Sequence, residues 1–269
     1  VRYAFYDYRP VGEPTWVGMK HFQALFSRDG FWQAFWNTLQ ISIIKLLLNT
    51  FMAVVISILL NEITSMAFKK TVQTLIYLPH FMSWVVVASV FSLILSPSMD
   101  GMVNGMLVDW GVIKETEKIY FLASPKWWRP VFYVINIWKD TGWGTILYLA
   151  TLSGISPELY EAAQIDGANR LQRMRYITFP ALTNTILTVL ILNLAKVMNL
   201  FESVFVLYND AVVDVSDVLQ TYIYRQTFGQ GVPNYGYTTA VGLFKSLVSC
   251  ILVLGCNYAS KKVRGRGIV

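Results

Sequence analysis

Long apolar runs broken by short charged stretches set the pattern of this chain. Phe35 to Leu60 is apolar for long enough to cross roughly 30 Å of hydrocarbon, interrupted by Asn37, Lys45, Asn49 and small hydroxyls. Thr71 to Leu95 is a second such run, in which Pro79 predicts a kink beside His80. Val131 to Leu152, Ala181 to Phe205 and Thr238 to Tyr258 follow. The pattern predicts an all-α integral membrane protein with five transmembrane helices in this chain, within residues 33–258.

The stretches between the runs differ in kind. Residues 1–32 mix charges and aromatics (Tyr3, Phe5, Tyr6, Tyr8, Trp16, Phe22, Phe26) with the turn formers Pro10, Gly12 and Pro14. That mixture suits an irregular segment at the outer interface, with one short helix near 18–28. Pro97 to Pro130, with Asp100, Asp109, Lys114, Glu115 and Trp127-Trp128, is too polar for lipid and predicts a wet loop with an aromatic belt. Tyr208 to Tyr237 is a polar loop carrying Asp210, Asp214 and Asp217. Residues 259–269 form a basic tail, Lys261-Lys262-Val263-Arg264-Gly265-Arg266.

Charge fixes the orientation. Lys69, Lys70, Arg170, Arg173, Arg175 and the tail bases fall on one side with few acids (Glu62, Glu158, Glu161, Asp166), whereas the opposite side has a similar number of bases spread over longer loops that are richer in acids. The positive-inside tendency makes the first side, and with it the C-terminus, cytoplasmic. Five spans running from an outer N-terminal segment to an inner C-terminus require a sixth, upstream of Val1. The chain opens on Val1-Arg2-Tyr3 with neither an initiator Met nor a basic leader, so a preceding helix is expected to be missing and no cleavable signal is visible.

Composition narrows the function classes. With 55% hydrophobic and 14% charged residues the chain is too apolar for a typical soluble domain. Its net charge of +6 comes from bases beside apolar spans rather than from a basic stripe among aromatics, so no nucleic-acid partner is expected. Cys250 and Cys256 point to different faces of one run and form neither a disulfide nor a metal site. No Gly-x-x-x-x-Gly-Lys-Ser/Thr loop, His-Glu-x-x-His helix or Gly-x-Ser-x-Gly elbow occurs. The chain is therefore expected to be no enzyme, to hold no metal or other cofactor, and to draw any ATP energy from a partner.

Two regions carry candidate chemistry. The charged island Ser156 to Pro180 starts with a good N-cap, Ser156, a Pro at the first helical position and Glu158 and Glu161 near the positive end of the helix dipole. Ala162 and Ala163 keep one side slim, and Gly167 permits a corner before Arg170, Arg173 and Arg175. A helix, a corner and a second helix follow, within a loop spanning 153–180. The second region is intramembrane. Asn136, Lys139, Asp140 and Trp143 share a face of the third run, and Thr185, Thr188, Lys196, Asn199 and Ser203, with Asn193 at the edge, share a face of the fourth. Amide and charged groups beside an indole suit a sugar, whose hydroxyls need donors and acceptors and whose ring face stacks on an aromatic. The plainer readings are a structural Lys–Asp pair in the third run and interhelical glue in the fourth. Gly142 and Gly144 are expected to loosen the helix, Lys45 and Lys245 to snorkel or sit near an end, and His80 to satisfy a carbonyl freed by the kink.

Glu161-Ala162-Ala163, Asp166-Gly167-Ala168, Ile177 and Pro180 resemble the EAA loop of permease subunits in binding-protein-dependent ABC importers. The runs Tyr77 to Val86 and Ile137 to Gly144, and Phe205-Val206-Leu207-Tyr208 with Asp217 beyond, are similar to the oligosaccharide and polysaccharide branch, relatives of maltose-type and alginate-type importers. The resemblance implies that Glu158, Glu161, Ala162, Ala163, Asp166, Gly167 and Ala168 form a cytoplasmic coupling helix and corner seated on an ATPase. It further implies a second permease subunit, two ATP-binding cassette subunits that hold ATP and Mg, an extracytoplasmic solute-binding protein, a saccharide substrate and a bacterial inner-membrane location. The other readings in view are an interfacial amphipathic hairpin for the island, which lacks the broad apolar face such helices carry, a permease for another solute, and a secondary transporter, which should show an internal repeat that the 131–152 pattern does not have.

Overall fold

A computed structural model describes residues 1–8, 13–98, 101–229 and 233–264. The expected turn formers Pro10 and Gly12, Asp100 in the outer loop, and Gly265 and Arg266 of the tail lie outside the described residues, as does the side chain of Arg264.

The chain begins with a short antiparallel pair, β1 (Tyr6–Asp7) and β2 (Thr15–Trp16), in which Tyr6 pairs with Trp16. It continues through α1 (Lys20–Phe26), α2 (Asp29–Asn61), α3 (Met66–Tyr77), α4 (Trp84–Ile94), α5 (Met102–Asp109), α6 (Pro125–Ser153) and α7 (Pro157–Ile165). Then follow α8 (Arg170–Arg173), α9 (Phe179–Leu194), α10 (Glu202–Leu207), α11 (Val213–Ser216), α12 (Leu219–Phe228) and α13 (Tyr235–Arg264). Among the described residues, Asp29–Asn61, Arg170–Leu194 and Tyr235–Lys262 are long and apolar enough to cross a membrane, and Met66–Phe81 with Trp84–Ile94 forms a fourth, broken candidate. Helix α6 has 29 residues but is not among them, since Asn136, Lys139 and Asp140 sit in its middle.

Several boundaries differ from the pattern for local reasons. Helix α2 starts at Asp29, whose carboxylate suits the first turn, so the first helix takes in residues expected at the irregular interface. Helix α6 starts at Pro125, so Trp127 and Trp128 belong to a helix rather than a loop, and Trp128 is fully buried with its indole Nε1–H donating to the Leu207 carbonyl at 2.9 Å. Between α8 and α9 the chain takes a wider π turn over Met174–Thr178. Pro180 cannot donate to the carbonyl four residues back, and a π turn beside it absorbs that loss.

The described residues form two compact units. One gathers Val1–Ile43, Ser83–Phe132 and Leu194–Gly255; the other gathers Ile44–Met82, Tyr133–Asn193 and the residues from Cys256 onward. In the first unit Phe31 and Phe35 pack edge-on against Phe244, and Tyr222 and Tyr237 share a buried hydroxyl hydrogen bond of 2.7 Å. In the second, Ala53, Val54, Tyr148, Leu152 and Leu182 make the core, with Ile58, Ile155, Ile186 and Val189 packed around them. Helix α6 runs unbroken through Gly142 and Gly144 instead of loosening there. A Cβ on Gly142 would lie 2.1 Å from the Ile76 carbonyl oxygen, and one on Gly144 would lie 3.0 Å from the Ala53 Cβ. Both glycines serve close packing of helices.

Candidate functional site

Pro79 has no N–H to give to the preceding turn, and after a 3-10 turn at Leu78–Phe81 the chain goes extended at Met82 before Ser83 caps α4, accepting from Val86 N–H at 3.3 Å. A break of this kind strands carbonyls in an apolar setting, where each unsatisfied group is costly. The Lys139 ammonium answers it. From α6 it donates to the carbonyls of His80 and Met82, each at 2.7 Å, and of Pro79 at 3.4 Å. The lysine is buried, and it takes the role expected of His80.

His80 turns instead toward α6. Its Nδ1 lies 3.4 Å from Asp140 Oδ1, and its ring stacks on Trp143 at 4.8 Å and 9°. Lys45 does not snorkel: its ammonium lies 3.8 Å from Asp140 Oδ2, so α2 and the break both supply a basic group to one carboxylate. Asn136 is fully buried, whereas Trp143 is 53% exposed. The face predicted from spacing therefore exists, divided between a buried part, Asn136 and the Lys139 that supports the break, and an open part made of the Trp143 indole and the Asp140 carboxylate.

The face predicted for the fourth run does not survive. Helix α9 ends at Leu194, so Asn193 is near its last turn, Lys196 and Asn199 follow it in turns, and Ser203 belongs to α10. No single helical register joins them. Thr185 shares a 2.9 Å hydrogen bond with Thr151 of α6 and so acts as a helix-packing hydroxyl, whereas Thr188 donates to the Asn184 carbonyl of its own helix at 2.9 Å.

The charged island folds as its signals predict. Pro157 opens α7 after Ser156, which stands at the cap position without a side-chain cap bond, and Glu158 lies in the first turn. Asp166 ends the helix, and Gly167 takes φ +80° at the corner, where the Ala168 N–H donates to the Ala163 carbonyl at 2.8 Å. Asn169 then caps α8 in a reciprocal box with Gln172. Glu158, Glu161, Ala162, Asp166 and Gly167 are exposed, Ala163 and Ala168 half-buried, and Ile165 is 87% exposed. Tyr160 ties the helix down through a 3.0 Å hydroxyl contact with Thr178.

A family described as the binding-protein-dependent transport system inner membrane component matches residues 45–265, which takes in the break, the Asp140 cluster and the island. The chain belongs to that family. The family is a transport-system permease component, and its setting is the inner membrane. It is 41% identical over 269 residues, covering 98% of this chain and 82% of the relative, to the polygalacturonan/rhamnogalacturonan transport system permease protein YteP of Bacillus subtilis (strain 168). It is 30% identical over 240 residues, covering 88% and 78%, to the lactose transport system permease protein LacF of Rhizobium radiobacter. It is also similar to a chain of the crystal structure of a bacterial alginate ABC transporter in complex with an alginate pentasaccharide-bound periplasmic protein, with 39% identity, TM-score 0.86 and coverage of 93% and 85%.

Beyond the predicted residues, this permease carries a polar knot that no local pattern marks. Asn37 Nδ2 donates to the carbonyls of Asp214 and Asp217, both at 3.0 Å, and its Oδ1 accepts from Arg129 at 2.7 Å. Arg129 also donates to Gln40 at 2.6 Å and to the Val215 carbonyl at 3.0 Å. Helix α11 and the Asp217 that follows it are thereby pinned to α2 and α6. Asp217 itself accepts from Thr221 at 2.7 Å and Arg225 at 2.5 Å. Burial pushes its carboxyl above the usual carboxylate range, and the Thr221 hydroxyl and the Arg225 guanidinium draw it back.

Proposed function

We propose that this permease is one of two unlike membrane subunits of an ABC importer that takes an oligosaccharide or polysaccharide from an extracytoplasmic binding protein and passes it across the inner membrane. Two ATP-binding cassette subunits supply the energy, with ATP and Mg held there and not in this chain. The observation that carries the reading is the 39% identity and TM-score of 0.86, over 93% of the chain, to a chain of an alginate importer. The names of the permease relatives also point to saccharide cargo.

In this reading five spans cross the bilayer, with the broken α3–α4 pair and the polar α6 counted among them and the C-terminus cytoplasmic. The exposed α7 and its Gly167 corner are the coupling element: Glu158 and Glu161 meet basic groups of the ATPase, Ala162 and Ala163 allow close approach, and Asp166, Gly167 and Ala168 set the turn. Such a contact needs an exposed helix, and most of α7 is exposed, with Tyr160 anchoring it to Thr178. Asn136, Lys139, Asp140, Trp143, Asn193, Lys196 and Asn199 belong to the substrate path. Trp143 and Asp140 offer a stacking plate and an acceptor, while Lys139 positions the break beside them.

Native mass spectrometry of the detergent-solubilised complex tests the assembly. The expected particle contains this chain, a second permease and two ATPases. Two copies of this chain with two ATPases would remove the heteromer, and this chain without any nucleotide-binding partner would remove the importer reading.

A further inference from the structure

Helix α12 has two unlike faces. Leu219 and Tyr222 are buried on one side, with Tyr222 bonded to Tyr237, and buried Thr221 bonds to Asp217 in the first turn, so the helix is held in place. Tyr224 and Phe228, on another side, are 39% and 70% exposed. Their rings do not stand singly. Phe201 stacks on Phe205 at 5.0 Å and 21°, Phe205 meets Tyr224 edge-on at 4.8 Å, and Tyr224 meets Phe228 at 5.3 Å. Tyr208 joins the row against Phe205 at 5.9 Å.

The row has a polar end. Gln220, one turn before Tyr224 on α12, donates to Asn199 Oδ1 at 3.2 Å, and the Lys245 ammonium donates to the same oxygen at 2.9 Å. Asn199 precedes Phe201 by two residues, and Lys196 is an exposed second cation on the same segment. Most row members keep open surface, Gln220, Asn199 and Lys245 stand at one end, and the Arg225 guanidinium beside Tyr224 is engaged by Asp217.

We propose that the row Phe201–Phe205–Tyr224–Phe228, ending at Gln220, Asn199 and Lys245, is a binding track for an acidic saccharide chain, outside the Asp140 and Trp143 cluster. The inference rests on the saccharide reading and deepens it. Successive sugar rings lay their C–H faces on successive aromatics, and a carboxylate of the chain meets the Lys245 ammonium, which has donors left after the bond to Asn199. An aromatic row of this kind tolerates linkage and register, because any pyranose has an apolar face. Charge selection comes from the end of the row. A lipid contact would need no cationic amide end, and a subunit contact would bury the row for good.

The test uses the reconstituted importer with its binding protein and ATPases, and oligogalacturonates of one to six units as probe. Tyr224→Ala and Phe228→Ala are expected to lower uptake of the tetramer and longer chains by about two- to tenfold per ring removed, with little effect on the monomer. Tyr224→Trp should restore the rate, and its indole emission should shift on addition of the hexamer but not of a neutral maltohexaose. Trp110→Ala, an exposed aromatic outside the row, is the control. Equal uptake of all lengths by wild type and Tyr224→Ala, or loss of the second permease from the Phe228→Ala complex, would overturn the track. Wild-type importer that moves no saccharide at all would overturn the cargo reading instead.

Discussion

Replacing Lys139 by Met keeps an unbranched side chain one atom shorter and removes the charge, so it tests what the ammonium does for the break. The geometry gives two short charge-assisted hydrogen bonds, to His80 and Met82 at 2.7 Å, and a long one to Pro79 at 3.4 Å. Bonds to a charged group contribute about 1.5–3 kcal/mol each, so the two short ones set an upper range of about 3–6 kcal/mol. Within a bilayer the unfolded reference state also finds partners, and measured interhelical bonds average only about 0.6 kcal/mol. A loss of about 2–4 kcal/mol lies between these limits and is the expected value. With about 2–4 °C per kcal/mol for a chain of this size, the unfolding midpoint of the complex in detergent should fall by roughly 5–15 °C. Hydrogen exchange should rise around Pro79 to Val86, where the amides of Met82 and Val86 are tied within the break. Lys139→Arg should recover part of both effects, because a cation still reaches the carbonyls. An unchanged midpoint together with unchanged exchange in that segment would refute the claim that Lys139 holds the break.

Three further outcomes follow from single contacts. Gly142→Ala puts a Cβ 2.1 Å from a backbone oxygen that cannot rotate away, so α3 and α6 must shift, with an expected cost of about 1–3 kcal/mol read as a lowered midpoint. At Gly167 no atom lies within 4 Å of an added Cβ, so the strain of φ +80° is the whole effect, about 1–2 kcal/mol confined to the corner; unaltered ATP-driven uptake in a Glu161→Lys, Gly167→Val double variant would refute the coupling role. Tyr148 is buried and its hydroxyl has no hydrogen-bond partner among the described residues, so Tyr148→Phe should leave stability unchanged or raise it by about 1 kcal/mol, and a drop in midpoint would show an acceptor for that hydroxyl.

How much of this was legible in sequence depends on the range of the cause. The island was readable because its signals are local: a proline that suits a first turn, a glycine that alone takes a positive φ cheaply, and an asparagine that caps the next helix. Helix α9 was misread because apolarity continues past Leu194 through Val197, Met198 and Leu200, and composition does not show where hydrogen bonding stops. The knot at Asn37 and Arg129 was out of reach, since its partners lie far along the chain and Arg129 stands in a stretch whose polarity reads as loop.

The same reasoning explains why the polar face of α6 was half understood. Spacing correctly grouped Asn136, Lys139, Asp140 and Trp143, but a face on a helix does not say what it faces. The deciding partner is the backbone of residues 79–82, which advertises nothing in sequence except a proline. Once that break is present, a buried lysine ceases to be an expensive ion needing an acid and becomes a donor to the carbonyls of the break. With Lys139 engaged there, Asp140 is held instead by Lys45 and His80 at the edge of the open face, beside an indole that His80 itself stacks on. A substituent that takes the Trp143 ring face on which His80 stacks must displace the imidazole, and through it disturb the contact to Asp140. Occupancy of that ring face and the Asp140 contact beside the break are coupled by that one side chain.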